Sequence, residues 1–407
     1  MGETVIIVGI STTIVLLLSS IVLLARHFLV PSGTAEITLN GQRSLQVARG
    51  EKLLDALAYN NILLPAACGG RGSCGQCRVT VIAGGGEILP TERNLISRRE
   101  AASGTRLACM VNVRDNLAIR VADELLEARQ SLGRVRSNHN VSTYLKEIVL
   151  ELPEGKGLGH EAGDYVLIEA PPGKTRFADF AIPEEYREVW QRDGLFALEA
   201  EREVAEKRAY SIASAPQEAG TIRLIVRIAL PPANASARTP PGLVSSFLFS
   251  LAAGDTVEMS GPFGEFHARD SAAEMVLIGG GAGIAPLRAI LQDQLVGQKT
   301  ARRISLWYGA RDKADICLAD EFEALAREYE NFSWHVALSD RKADPGWSGP
   351  RGFIHAVVRD TYLANHPAPE DAEYYLCGPP LMSSAVVAML EDFGVEADSI
   401  LFDNFGT

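Results

Sequence analysis

Three cysteines within ten residues, set in a run of glycines, restrict this chain more than any other feature. The run reads Cys68-Gly-Gly-Arg-Gly-Ser-Cys74-Gly-Gln-Cys77, and a further cysteine follows in Leu107-Ala-Cys109. Gly69, Gly70, Gly72 and Gly75 can take positive φ and turn backbone amides toward sulfur. Such a loop wraps a group held by several thiolates, and the last thiolate must come from a distant segment that closes the cage. A 2Fe–2S cluster needs this donor set, two thiolates on each iron. A structural zinc site prefers paired Cys-x-x-Cys elements, and the chain has one such pair. The clustering is not the pattern of a disulfide-stapled secreted domain of this size. Cys317 and Cys377 lie far off in sequence and are not counted as ligands. The seven histidines are scattered, with no pair at ligand spacing, which argues against a mononuclear zinc site.

A chain of 407 residues is too long for one ordinary domain. Its net charge of −12, without a run of Lys or Arg, argues against nucleic acid and against charge-driven binding to acidic lipid. Residues 4–25 carry no charge and are rich in Ile, Val and Leu. A helix of that length crosses a bilayer core of about 30 Å, so a single transmembrane anchor is expected. A cleaved signal peptide would need a basic start, and Met1–Thr4 offers only Glu3. Arg26 and His27 follow the span, and the positive-inside rule then places the remainder in the cytoplasm.

The soluble part changes periodicity twice. Residues 35–48 predict a hairpin around Asn40–Gly41, followed by a helix over Glu51–Asn60. From Val135 to Phe266, short alternating segments at Val141–Leu152, Tyr165–Glu169, Ile222–Ala229 and Thr256–Ser260 predict an antiparallel barrel. Within it lies Arg208-Ala-Tyr210-Ser211, whose Arg and Tyr share one strand face. An insert over Lys174–Lys207, rich in Glu and Arg, is largely helical in pattern. It reads either as a solvated decoration or as a docking surface for a partner. After Phe266, strands and helices alternate from Met275–Ile278 to Ser399–Phe402, the pattern of a doubly wound parallel sheet. Gly279-Gly280-Gly281-Ala282-Gly283-Ile284-Ala-Pro286 sits where its first strand meets its first helix. Cys377-Gly378-Pro379-Pro380 ends a later strand. Both lie at carboxyl ends, where such sheets bind ligands.

These motifs carry three resemblances. Residues 34–125 resemble ferredoxins of the plant and adrenodoxin types, with a β-grasp fold. Five residues separate the first two cysteines, as in the adrenodoxin-like branch, rather than the plant-type four. Arg208-x-Tyr210-Ser211 resembles the flavin motif of the ferredoxin–NADP reductase superfamily. The glycine loop and Cys377-Gly-Pro-Pro resemble that superfamily's pyridine-nucleotide domain. Taken in order, nearly the whole chain resembles the NADH-oxidising subunits of sodium-translocating NADH:quinone oxidoreductases.

That resemblance implies a multidomain protein with four parts. They are a transmembrane anchor and linker over 1–33, a 2Fe–2S ferredoxin over 34–128, an FAD-binding barrel over 129–270 and an NADH-binding domain over 271–407. It implies Cys68, Cys74, Cys77 and Cys109 as cluster ligands. It gives FAD to Arg208, Tyr210 and Ser211 and to the helix start at Gly242, Val244, Ser245 and Ser246. It gives NADH to Gly280, Gly281, Ala282, Gly283, Ile284, Pro286, Gly378 and Pro379. Cys377 lies beside the nicotinamide, and Phe405, with Phe402 as alternative, covers the flavin. A preference for NADH over NADPH also comes from the resemblance. Arg311 follows the second strand of the sheet, but one arginine is not a 2′-phosphate site. Partner membrane subunits, quinone as final acceptor and the bacterial inner membrane follow as expectations, and the family's insert favours docking. The rival readings are the reductase component of a bacterial oxygenase and a membrane-tethered electron carrier. Residues 4–25 and the insert speak against the first, and the two nucleotide motifs against the second.

Overall fold

The computed structural model describes residues 12–20, 33–66, 68–122, 125, 129–153, 157–218, 220–232, 239–340 and 344–403. By contacts the chain divides into two units. One holds 1–65 and 70–127; the other holds 66–69 and 128–407. Residues 12–20 are helical and exposed, and the Ser20 hydroxyl donates back to the Leu16 carbonyl at 2.7 Å. Among the described residues no helix is long and apolar enough to cross a membrane. The rest of the expected span lies outside the described residues.

In the first unit, strands β1 (Thr34–Leu39) and β2 (Arg43–Ala48) pair antiparallel. Asn40 and Gly41 both have positive φ in the turn between them, as the Asn-Gly pair allows. Strand β1 buries Ala35, Ile37 and Leu39 on one face. Helix α1 (Leu53–Tyr59), within the expected Glu51–Asn60, buries Leu53, Ala56 and Leu57. With β3 (Arg78–Ala83), helix α2 (Arg98–Ala102), β4 (Thr105–Leu107) and β5 (Leu117–Arg120), the sheet runs β2-β1-β5-β3-β4. Glu92 is fully buried. It accepts from the Arg106 guanidinium and from the amides of Leu89 and Leu107, so its charge is compensated.

The second unit begins with the barrel. Its strands are β6 (Arg129–Ser142), β7 (Leu145–Glu151), β8 (Tyr165–Ala170), β9 (Gly173–Arg176), β10 (Glu199–Arg202), β11 (Glu206–Ser211), β12 (Thr221–Arg227) and β13 (Thr256–Phe263). Six form a sheet in the order β11-β8-β13-β6-β7-β12, and a bridge between Ile212 and Leu224 brings its two edges together. The segment expected as one strand, Val141–Leu152, is broken at Thr143 and Tyr144. There the Thr143 amide donates to the Ala314 carbonyl at 3.2 Å instead of continuing the ladder.

The insert is less helical than its composition implied. Strands β9 and β10 pair antiparallel, and between them lie one α-helix, α3 (Glu184–Arg192), which starts after Pro183, and two single-turn 3-10 helices, Phe177–Asp179 and Leu195–Ala197. Its Trp190 is buried among Phe177, Phe180, Phe196 and Phe249, and the indole nitrogen donates to the Thr143 carbonyl at 2.9 Å. The aromatic face packs into the barrel core and the charged face stays outside.

The nucleotide sheet contains β14 (Met275–Gly280), β15 (Ile304–Ala310), β16 (Phe332–Leu338), β17 (Glu373–Cys377) and β18 (Ile400–Asp403), all parallel, in the order β16-β15-β14-β17-β18. Helices α5 (Ile284–Gln292), α6 (Ala319–Glu328), α7 (Ile354–Thr361) and α8 (Pro380–Asp392) connect them; α4 (Leu243–Ser250) belongs to the barrel. Strand order reverses at β14, so the switch point of the sheet lies between β14 and its neighbours. Arg288 on α5 is buried and pairs with Glu218 of the barrel at 2.9 Å and with Glu321 of α6 at 2.7 Å. That pairing holds barrel and sheet in one register, which the site between them requires.

Candidate functional site

In the first unit, Cys77 and Cys109 are buried and Cys74 is half-buried. Hydrogen bonding to Cys109, burial and the nearby charges of Cys109 and Cys74 push the Cys77 thiol far above its ordinary range. Thiols that disfavour one another's ionisation in this way are the donor chemistry a bound cationic group would relieve, and four cysteines are what a 2Fe–2S cluster needs. Gly72 has a φ of +76°, and a Cβ there would stand 2.8 Å from the Met110 sulfur. Among the described residues no three His, Cys, Asp or Glu side chains converge as a single ion would need. Cys68 falls in the 66–69 segment, which groups with the second unit.

In the barrel, Arg208 and Tyr210 lie on β11 opposite Ile168 and Val166 of β8, in regular register and therefore on one face. Arg208 pairs with Glu206 at 3.3 Å, and burial pushes the Tyr210 hydroxyl up. At the start of α4, the Ser245 and Ser246 hydroxyls donate to the Gly242 carbonyl at 3.1 and 2.7 Å. Among the described residues no side chain caps the helix, and these serine hydroxyls donate to the Gly242 carbonyl rather than accept from the first amides of the helix. Val244 and Ser246 are buried beneath. A Cβ on Gly242 would meet Ala229 at 2.6 Å, a close approach that only glycine allows. The residues present fit a flavin diphosphate at this helix start.

In the nucleotide sheet, a Cβ on Gly283 would fall 2.0 Å from the Cys377 carbonyl. The glycine loop and the end of β17 therefore touch backbone to backbone. Ile284 and Pro286 are in the buried first turn of α5. Gly280, Gly281 and Pro379 line a cavity of about 520 Å³ with Tyr144, Arg227 and Tyr308. Ala282 is half-buried beside that loop, and Gly378 packs against Met382. This cavity, open at the carboxyl ends of the strands, fits a dinucleotide.

The residue that sequence reasoning missed is Asp403. Register pairs it with Cys377 across β17 and β18, and the Ser211 hydroxyl of the barrel donates to it at 3.1 Å. Burial pushes its carboxyl up to about 6, partly offset by that hydrogen bond. The Cys377 thiol is pushed up by burial and by the Asp403 charge. The only signal in the sequence was an acidic residue two places before Phe405. Phe402, the neighbour of Asp403, is 59% exposed and points to the other face of its strand. Phe405 lies outside the described residues.

Comparison with known proteins agrees module by module. Residues 37–114 match the 2Fe-2S iron-sulfur cluster binding domain family, 174–268 the oxidoreductase FAD-binding domain family and 277–388 the oxidoreductase NAD-binding domain family. A cytochrome P450 reductase of Amycolatopsis has a similar structure, with a TM-score of 0.64 at 27% identity, over 91% of this chain and 99% of that one. A ferredoxin reductase of a carbazole 1,9a-dioxygenase, at 24% identity and a TM-score of 0.61, shares the fold over 92% of this chain and 98% of its own. Fold and site define an iron–sulfur flavoprotein reductase, binding FAD, NADH and a 2Fe–2S cluster.

Two relatives matched over nearly their whole length narrow this further. The chain is 50% identical to the F subunit of the Na(+)-translocating NADH-quinone reductase of Methylococcus capsulatus, over 97% of each chain. It is 49% identical to the corresponding subunit of Idiomarina loihiensis, over 98% of each. The chain belongs to the family of F subunits of Na(+)-translocating NADH-quinone reductases. It is an NADH dehydrogenase module, in which FAD takes the two electrons of NADH as hydride and the 2Fe–2S cluster carries electrons onward singly.

Proposed function

We propose that this chain is the electron-entry subunit of a sodium-pumping membrane complex, handing electrons from NADH to partner subunits and through them to quinone. The name borne by its relatives supports the assembly. The observation that carries the entry step is the Ser211–Asp403–Cys377 group. It joins the barrel strand of the flavin motif to the strand end beside the nucleotide loop. Reacting partners held on those two elements meet face to face, which is the placement hydride transfer requires.

In this reading Cys68 completes the ligand set with Cys74, Cys77 and Cys109. Arg208 pairs with the flavin diphosphate together with the first amides of α4, from Gly242 to Ser246. Tyr210 lies against the ring and Ser211 bonds its edge. The loop from Gly280 to Gly283, the first turn at Ile284 and Pro286, and Gly378 and Pro379 cradle the dinucleotide. Asp403 accepts from the Ser211 hydroxyl and stands beside Cys377 across the strand pair. Phe405 covers the ring and moves aside for nicotinamide. Residues 1–33 form a single-pass anchor and linker in the bacterial inner membrane, with 34–128, 129–270 and 271–407 on the cytoplasmic side. The charged outer face of the insert is available to a partner.

Deleting residues 1–33 separates location from chemistry. The truncated protein should leave the membrane fraction and still reduce ferricyanide with NADH. An inactive, cofactor-free product would show that the first domain boundary is misplaced.

A further inference from the structure

Nicotinamide chemistry belongs on the β17 side of the sheet, where Cys377 ends its strand. A dinucleotide crossing the switch point then carries its adenosine toward β15 and β16. There the cavity is lined by Arg311 and Asp315, just beyond β15, and by Ser339, just beyond β16. An arginine in that corner accommodates a 2′-phosphate, whereas an acidic residue takes a free 2′-hydroxyl. Here the two are committed to each other. Nε of Arg311 donates to one Asp315 oxygen at 2.6 Å and Nη2 to the other at 3.2 Å.

The guanidinium also lies over the Tyr144 ring, 5.0 Å from its centroid. Tyr144 is not part of the nucleotide sheet; it sits in the turn between β6 and β7. Its hydroxyl donates to Asp193 at 2.8 Å, and Asp193 ends the insert helix α3. Thr143 in the same turn accepts from Trp190 of α3 and donates to Ala314, inside the 311–315 loop. Insert, barrel turn and nucleotide loop are thus one continuous chain of contacts.

We infer that Tyr144 and Asp193 are specificity-determining positioning residues: they hold Arg311 in its pair with Asp315, so that the Nε–Nη2 edge of this arginine is not open to a 2′-phosphate. This rests on reading the cavity as the NADH site. A 2′-phosphate arriving there meets a carboxylate and an arginine whose Nε–Nη2 edge that carboxylate already occupies. To be held bidentately through that edge, it must first open the pair. The 2′-hydroxyl of NADH needs only an acceptor, and the paired Asp315 retains lone pairs for that. The insert then acts inside the chain, whatever docks on its outer face.

The test is the ratio of kcat/KM for NADPH to that for NADH, with ferricyanide as acceptor and the whole chain as enzyme. A general loss of binding cancels in that ratio. Asp315→Asn leaves Arg311 without its carboxylate. The ratio should rise about tenfold or more, through the KM for NADPH rather than kcat. Adding Arg311→Gln should abolish the rise. Tyr144→Leu removes the platform and should move the ratio the same way by roughly two- to fivefold. Asp193→Asn should follow Tyr144→Leu. An unchanged ratio in Asp315→Asn with flavin still bound overturns the inference, as does a rise that survives in the double variant. An unchanged ratio in both Tyr144→Leu and Asp193→Asn removes these two residues from it. If the unaltered chain did not oxidise NADH, the reading of the cavity itself would fall instead.

Discussion

The cysteine loop takes Cys68, Cys74 and Cys77 from ten consecutive residues, whereas Ser211 and Asp403 meet across 192 positions. The loop needs local backbone freedom: glycines at positive φ and one closing strand end at Cys109. The Ser211–Asp403–Cys377 group needs barrel closure, parallel register in the sheet and the Arg288 pairs that hold the two together. A site of the first kind is lost or kept as a whole. A site of the second kind weakens by degrees, because each member is positioned by many contacts.

The largest effect tests the first kind. Cys109→Ala should abolish the cluster's EPR signal while FAD stays bound, since the flavin residues belong to another unit. A full-strength 2Fe–2S signal in that variant would make the fourth-ligand assignment wrong. Next comes the flavin face. Losing a charge-assisted pair to phosphate costs about 1.5–3 kcal/mol, so Arg208→Ala with Tyr210→Ala should weaken FAD binding by about tenfold or more, measured as flavin content after gel filtration. Full occupancy would remove both residues from the site.

Asp403 tests the graded site through pH. Its carboxyl is pushed from 3.8 to about 6 in the folded chain. The protonated form is therefore favoured by folding. The stability this contributes is complete below about 4 and is lost as pH rises through about 6. Asp403→Asn keeps the shape without the ionisation. Relative to the unaltered chain it should gain on the order of 2–3 kcal/mol between those limits, read from thermal melts across pH. Parallel pH profiles for the two proteins would mean that Asp403 is solvated. The smallest effect belongs to the chain end. Phe405→Ala should tighten NAD⁺ binding by roughly two- to tenfold, because an aromatic stack no longer competes for the ring. No change there, with a change in Phe402→Ala, would transfer the gate to Phe402.

Much of this was legible in the sequence for one physical reason: local motifs report local geometry. The Asn40–Gly41 turn, the glycine loop after β14 and the order of alternating strands and helices depend on neighbours in the chain, and the structure has them where the sequence indicates. Three features were not legible. Val141–Leu152 alternates as one strand would, but the chain turns back on itself at Thr143 and Tyr144, so that β6 and β7 pair antiparallel. The insert's Glu and Arg suggested a largely helical segment, but its aromatics are drawn into the barrel core and its flanks pair as antiparallel strands. Asp403 carries no motif, and parallel register alone brings it to Cys377.

The central claim is the order of electron entry, NADH first to the flavin and from there to the cluster. Anaerobic stopped-flow mixing with NADH tests it directly, following flavin absorbance and cluster EPR in the unaltered chain, in Cys109→Ala and in the flavin-depleted Arg208→Ala, Tyr210→Ala variant. The account predicts that Cys109→Ala bleaches its flavin at an undiminished rate and still reduces ferricyanide, while the flavin-depleted variant leaves its cluster oxidised. Rapid cluster reduction by NADH in that flavin-depleted variant would contradict the account.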